Sequence, residues 1–266
     1  MMTAMARSSR PKKSLGQHFL TRDALAERIA DAAALPPDAA ALEIGPGRGI
    51  LTKALLARAK KVIAVEADRG LYETLARDFA ADIARGRLVL VEGDIRAFDL
   101  ASLPPRYAVV ANIPYYLTGE LFRLFLSSAR PPASLTFLVQ KEVAERIARS
   151  KKESILSLSV KAYGAPRIAF TVPRGAFSPA PNVDSAVLSV RSISRKNFRT
   201  RAEERRFFSL LRAGFAHKRK FVRKNLADAG LPAGDIPGKA RAEDLPLSAW
   251  LALARPPAAA RRMSPK

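Results

Sequence analysis

The amino-acid sequence predicts an α/β fold: an open, largely parallel sheet with helices on both faces, followed by a small helical domain. Three observations carry this expectation. Short apolar runs alternate with stretches of helical periodicity up to residue 193, the pattern of successive strand–helix units. The first of these runs enters a glycine-rich turn that opens a helix. From Ser194 the composition shifts to a strongly basic segment with a helical apolar face.

The chain has 266 residues, 48% of them apolar, which suits one large domain and one small one. The expected division is 1–193, including a basic arm at 1–14, then 194–256, then a disordered tail at 257–266. There is no cysteine, which excludes a disulfide framework and a thiolate zinc site. His18 and His217 are the only imidazoles and lie far apart in sequence, so no metal is expected. No run of 18 apolar residues occurs, and the basic arm lacks the apolar core of a signal peptide. With no lipidation motif either, the expectation is a cytoplasmic protein without a membrane partner. The net charge of +22 points instead to a polyanion, bound by counterion release.

In chain order, the basic arm runs into Gly16-Gln17-His18-Phe19-Leu20, and a helix is expected from Asp23 to about Ala34. Taken alone, Gln17 and His18 read as polar loop residues. Ala40–Ile44 is an apolar strand that leads into Glu43-Ile44-Gly45-Pro46-Gly47-Arg48-Gly49. A helical pattern follows through Leu51, Leu55 and Leu56. Strand, glycine turn and helix together form a nucleotide-binding layout, in which the glycines let backbone approach a ligand. The spacing is G-x-G-x-G with an acid two residues before the first glycine. An acid there repels a pyrophosphate and favours a cation. That points away from NAD and towards S-adenosylmethionine, with its amino group and sulfonium.

Lys61–Val65 is the second strand, ending at Glu66, 21 residues after Gly45. An acid so placed can accept from both ribose hydroxyls. A helix is expected over Arg69–Asp82. Arg87–Glu92 is the third strand, closed by Gly93-Asp94-Ile95, and Asp94 can accept from an adenine amine. The fourth strand, within Tyr107–Ala111, stops at Asn112-Ile113-Pro114-Tyr115. Pro114 has no N–H and a fixed φ, so the strand cannot continue. An amide, a stiffened backbone and an aromatic ring are thus presented at a strand's carboxyl end, where ligands bind in such sheets. That set suits a planar base with an exocyclic amine.

Thr118 is a candidate cap for the next helix. Ser134–Val139 reads as a fifth strand and Glu142–Arg149 as a helix, while Ser154–Ala162 fits helix and strand equally. Pro166–Val172 and Ser185–Val190 read as two strands completing the sheet. Between them Phe177 stands at the entrance of a proline-stiffened loop, and reads equally as a core aromatic. Residues 195–225 hold 12 Lys/Arg against Glu203 and Glu204, a local net of +10. Lys218, Arg219, Lys220, Arg223 and Lys224 are the candidate phosphate contacts, in competition with an ordinary solvated face.

Several stretches together resemble the ribosomal RNA adenine N6,N6-dimethyltransferase family, the small-subunit dimethyladenosine transferases. They are Leu15-Gly16-Gln17-His18-Phe19-Leu20, Leu42 to Gly49, Val65-Glu66, Gly93-Asp94, Asn112 to Tyr116, Phe177 to Val187, and His217-Lys218-Arg219-Lys220, in the family's order. The chain departs from the family's usual Pro-Pro-Lys at Ala180-Pro181-Asn182, which removes one phosphate contact. The resemblance implies a Rossmann-like class I methyltransferase sheet with S-adenosylmethionine as methyl donor. Gln17, His18, Leu20, Glu43, Gly45, Gly47, Glu66, Asp94, Ile95 and Asn112 would bind it. Asn112 would accept from the target amine, and Tyr115 and Phe177 would hold the adenine by stacking. The implied substrate is two adjacent adenosines in the 3′-terminal hairpin of small-subunit rRNA in the assembling subunit, acted on by a monomer. Two alternatives compete: a large-subunit rRNA adenine methyltransferase of the resistance type, and a non-catalytic assembly factor that binds RNA.

Overall fold

The computed structural model of the protein describes residues 16–36 and 38–255. The expected basic arm and disordered tail lie outside the described residues. In chain order the elements are β1 (Phe19–Leu20), α1 (Asp23–Ala33), β2 (Ala40–Ile44), α2 (Ile50–Leu56), β3 (Lys61–Glu66), α3 (Arg69–Asp78), α4 (Ala80–Ala84) and β4 (Leu88–Glu92). Then come β5 (Tyr107–Asn112), α5 (Thr118–Leu126), β6 (Ser134–Gln140), α6 (Lys141–Ala148), α7 (Ile155–Tyr163), β7 (Ala165–Val172), β8 (Phe177–Ser178) and β9 (Ser185–Arg191). The last helices are α8 (Arg201–Gly214), α9 (Val222–Asp228) and α10 (Leu247–Ala254).

Seven strands form one sheet in the order β4-β3-β2-β5-β6-β9-β7. The first five are parallel, and β9 and β7 are antiparallel to their neighbours. Strands β2, β3, β5 and β6 are near-continuous apolar runs because both their faces are covered. Helix α1 covers one face with Leu25, Ala26, Ile29, Ala30 and Ala33, a stripe at helical spacing. From β2 the chain winds outward through β3 and β4, then returns to β5 on the other side. The order therefore reverses beside β2, and a crevice opens at the carboxyl ends there.

Three local expectations are settled differently. The helix expected over Arg69–Asp82 is interrupted at Phe79, which leaves helical geometry at φ −108° and ψ 21°. Its ring fills the space beside Gly49, where an added Cβ would stand 2.5 Å away. Thr118 is the first residue of α5 rather than its cap, and its hydroxyl donates back to the Tyr115 carbonyl at 2.8 Å. The ambiguous stretch after Ser154 is a helix, because Ser154 and Ser157 form a reciprocal capping box at its start.

The chain divides into two units, one ending at Ile193 and the other holding Arg146–Gly164 together with the residues from Ser194 onward. The sequence reading put Arg146–Gly164 with the sheet. The structure groups it with the helical unit because Tyr163 belongs to that unit's aromatic cluster. Its ring stacks on Phe208, and its hydroxyl donates to Glu204. Phe207, Leu210, Leu211, Val222, Leu226 and Trp250 are fully buried in the same unit. Among the described residues no helix is long and apolar enough to cross a membrane.

Candidate active site

The turn after β2 carries Gly45 and Gly47, both at φ +61°. This left-handed geometry favours glycine. At Gly47 an added Cβ would stand 2.9 Å from the Phe19 ring. At Gly45 an added Cβ would meet nothing within 4 Å, so the backbone there opens onto free space. That space is an open crevice at the carboxyl ends of β2, β3 and β5, where ligands bind in such sheets. Gln17, His18, Glu66, Asp94, Ile95, Asn112 and Tyr115 all line it with the two glycines.

Glu66, at the end of β3, is held by the same turn. Its Oε2 accepts from the Gly47 N–H at 3.0 Å, and its Oε1 from the Asp68 N–H at 2.8 Å. Burial pushes its pKa up, and these two N–H donors pull it back only in part. The carboxylate is therefore fixed in orientation, with lone pairs left to accept further hydrogens.

Asp94 follows β4 and is gripped by Arg96, whose Nη2 lies 2.5 Å from Oδ2 and whose backbone N–H donates to Oδ1 at 2.8 Å. The hydrogen bond from the Arg96 side chain holds Asp94 below the usual carboxylate range. Any further donor that reaches Asp94 would thus share it with a guanidinium.

Asn112 ends β5. Its Nδ2 donates to the His18 carbonyl at 2.7 Å. A carbonyl oxygen can only accept, so the amide nitrogen must face His18 and Oδ1 must face away. The His18 ring is itself tied through Nδ1 to the Pro179 carbonyl at 2.8 Å, and stands 5.9 Å from the Tyr115 ring in a stacked arrangement. Tyr115 is anchored through its hydroxyl to Ser185 Oγ at 2.6 Å. The Pro114 carbonyl accepts from the Leu117 N–H at 3.0 Å.

Three predicted residues do not line this crevice. Glu43 is 1% exposed and sits under the glycine turn, in a smaller cleft shared with Leu20, Arg48 and Asn112. Burial raises its pKa to about 8, against the pull of Thr52 and with added repulsion from Glu66. Burial thereby favours its protonated form, whereas the sequence reading expected an anion facing a cation. Leu20 is buried in the main core cluster. Phe177 is 4% exposed and packs in the same cluster, because β8 pairs with β1 and turns its ring inward. It is not among the residues lining the crevice.

Sequence reasoning missed Phe19, Arg96 and Tyr116 on the crevice wall. Phe19 carries the Arg48 guanidinium 4.8 Å above its ring. For Phe19 the available signal was its place beside Gln17 and His18 in the stretch that carries the family resemblance. None existed for Arg96, whose role depends on the turn that returns it to Asp94.

A profile of the family described as "Ribosomal RNA adenine dimethylase" matches residues 8–243. The chain belongs to the ribosomal RNA adenine dimethylase family. A relative within reach of this dimethylase chain is the ribosomal RNA small subunit methyltransferase A of Dehalococcoides mccartyi. It is 37% identical over 255 residues, covering 91% of this chain and 86% of the relative. Two solved structures share the dimethylase fold at a TM-score of 0.72. The 23S rRNA methyltransferase ErmE is 26% identical, covering 89% of this chain and 98% of its own. A dimethyladenosine transferase from Plasmodium falciparum is 25% identical, covering 89% and 96%. The sheet of this dimethylase chain is thus the Rossmann-like class I methyltransferase sheet that the resemblance implied.

In the helical unit of the dimethylase chain, Lys218, Arg219, Lys220, Arg223 and Lys224 are all exposed. They flank a turn that buried Asn225 braces, donating from Nδ2 to the Gly214 carbonyl at 2.7 Å and to the His217 carbonyl at 3.1 Å.

Proposed function

We propose that this protein dimethylates the N6 amines of two adjacent adenosines in the 3′-terminal hairpin of small-subunit rRNA, using S-adenosylmethionine, during subunit assembly in the cytoplasm. The observation that carries the reading is the Asn112–His18 hydrogen bond, which leaves Asn112 Oδ1 as a fixed acceptor at the end of β5.

The residues of the crevice fit the methyl donor. Open space at Gly45 admits a ligand against the backbone. Glu66 would accept from ribose hydroxyls and Asp94 from the adenine amine. Ile95 supplies an apolar wall, and Gln17 and His18 close the other side. When bound, S-adenosylmethionine supplies a methyl group activated by a positive sulfur.

The rest is done by positioning. An adenine amine is a weak nucleophile because its lone pair is delocalised into the ring. Asn112 Oδ1 and the Ile113 carbonyl beside Pro114 would accept its two hydrogens, drawing the nitrogen towards tetrahedral geometry and freeing the lone pair. Tyr115, fixed by Ser185, would stack on the extruded base, worth about 1–3 kcal/mol and offsetting part of the unstacking cost. No strong base is needed, since orientation can supply roughly 7–11 kcal/mol against about 10²–10⁴-fold for general acid–base help. The methylated nitrogen then sheds one proton to solvent and keeps one hydrogen, so a second round can use one of the same acceptors. Phe177 could join the stack only by leaving the core, so the reading rests on Tyr115.

The exposed cations of the helical unit and the net charge of +22 suit an RNA backbone. The large-subunit alternative has the likeness to ErmE in its favour. The curated sequence relative at 37% identity is a small-subunit methyltransferase, which supports the main reading. The test is incubation of unmodified small and large subunits with labelled donor, followed by mass mapping. Dimethylated adenosines in the small-subunit hairpin are expected; label only on the large subunit would refute the reading.

A further inference from the structure

Phe221 is 45% exposed, the one exposed large aromatic among the described residues of the helical unit. A single exposed apolar residue is ordinary, but this one has unusual surroundings. Lys218, Arg219 and Lys220 precede it and Arg223 and Lys224 follow, all exposed. The backbone on both sides is held. Lys220 N–H donates to the His217 carbonyl at 3.1 Å and Val222 N–H to the Ala240 carbonyl at 2.9 Å. Val222 and Leu226 are fully buried beneath. Asn225 fixes the turn from inside. The ring is thus carried by a held stretch of backbone, is open to water, and lies within a run of five exposed cations, of which Lys220 also stands 3.7 Å from Asp228.

We propose that Phe221 stacks on an unpaired nucleobase of the RNA whose phosphates these five cations hold. This rests on the RNA-binding reading above and adds what the helical unit would recognise: a loop, bulge or strand end rather than uninterrupted duplex. Charge complementarity selects the partner, since five cations suit a polyanion. An aromatic face accepts any base, whereas a paired base has no free face to offer. A membrane surface fits less well, because one ring supplies little apolar area for insertion.

The test uses the full chain and two RNA hairpins of equal length and charge, one fully paired in its stem and closed by a minimal loop, the other carrying unpaired bases. Phe221→Ala is expected to weaken binding of the second RNA about 5- to 150-fold, the loss of one stacked base. Binding of the paired RNA and the salt slope of both should stay as in the wild type. Phe221→Trp should retain affinity, with its fluorescence quenched by the unpaired RNA alone. Phe221→Leu keeps apolar bulk without a π face and should behave as Ala. Full affinity in Phe221→Leu, or equal losses on both RNAs, would overturn stacking. So would Phe221-dependent binding to anionic phosphatidylserine vesicles without any effect on RNA. If neutralising Lys218, Arg219 and Lys220 leaves RNA binding intact, the RNA-binding reading itself fails. If that change weakens binding and Phe221→Ala does not, only the stacking proposal fails.

Discussion

Asn112 and His18 are joined by a hydrogen bond from the Asn112 side-chain amide to the His18 backbone carbonyl, 2.7 Å long, across 94 residues of sequence. The bond uses the amide's donor end and so assigns its acceptor end. An aspartate would put a second acceptor against the same carbonyl and lose the contact by repulsion.

Replacing Asn112 should therefore affect turnover more than donor affinity. Asn112→Ala is expected to lower methyl transfer by at least about 10²-fold, the scale for removing one fixed polar group at a reacting centre. Donor affinity, read by calorimetry, should fall much less. Asn112→Asp should be as inactive. Near-normal single-turnover rates in either variant would remove Asn112 from the chemistry.

Tyr115 and Phe177 should separate cleanly. Phe177→Ala empties a core position and is expected to cost about 3–5 kcal/mol of stability, visible as a lowered unfolding midpoint in denaturant. Tyr115→Ala, at a partly exposed crevice position, should lose mainly RNA-dependent activity. A Phe177→Ala protein of unchanged stability would mean its ring is not the core residue seen here.

Glu43 should make stability depend on pH. Burial raises its pKa from 4.5 to about 8. A carboxyl that binds its proton more tightly when folded contributes stability that is fully present below about pH 4.5 and lost as pH rises through about 8. The unfolding midpoint of the wild type should therefore fall between those limits relative to Glu43→Gln, which has no proton to lose. Parallel pH profiles for the two proteins would show that Glu43 is charged throughout.

Neutralising Lys218, Arg219 and Lys220 together should weaken RNA binding and flatten its salt dependence. Each lost phosphate contact lowers the slope of log K against log salt by roughly one. An unaltered slope would place the RNA elsewhere.

The sheet was largely legible because its strands are apolar runs stopped by glycine, proline or acids. Ala40–Ile44 carries the same limits in sequence and structure. Glu66, Asp94 and Asn112 were found because strand ends in such a sheet share one rim. Phe177 was put on the ligand side by the family resemblance, because the sequence alone does not reveal which way its side chain turns. Phe177 is set by its pairing with Leu20, a contact spanning most of the chain. The grouping of Arg146–Gly164 was hidden for a similar reason, since it depends on Tyr163 meeting Glu204 and Phe208.

The two-residue pairing of β1 with β8, with His18 fastened to Pro179, ties together segments 161 residues apart. During synthesis the glycine turn and the acidic rim emerge from the ribosome long before Phe177 does. A nascent chain halted earlier would own the floor of the cleft without the clasp that fastens its N-terminal wall. The N-terminal wall of the cleft can thus be fastened only once the chain has been made through Pro179.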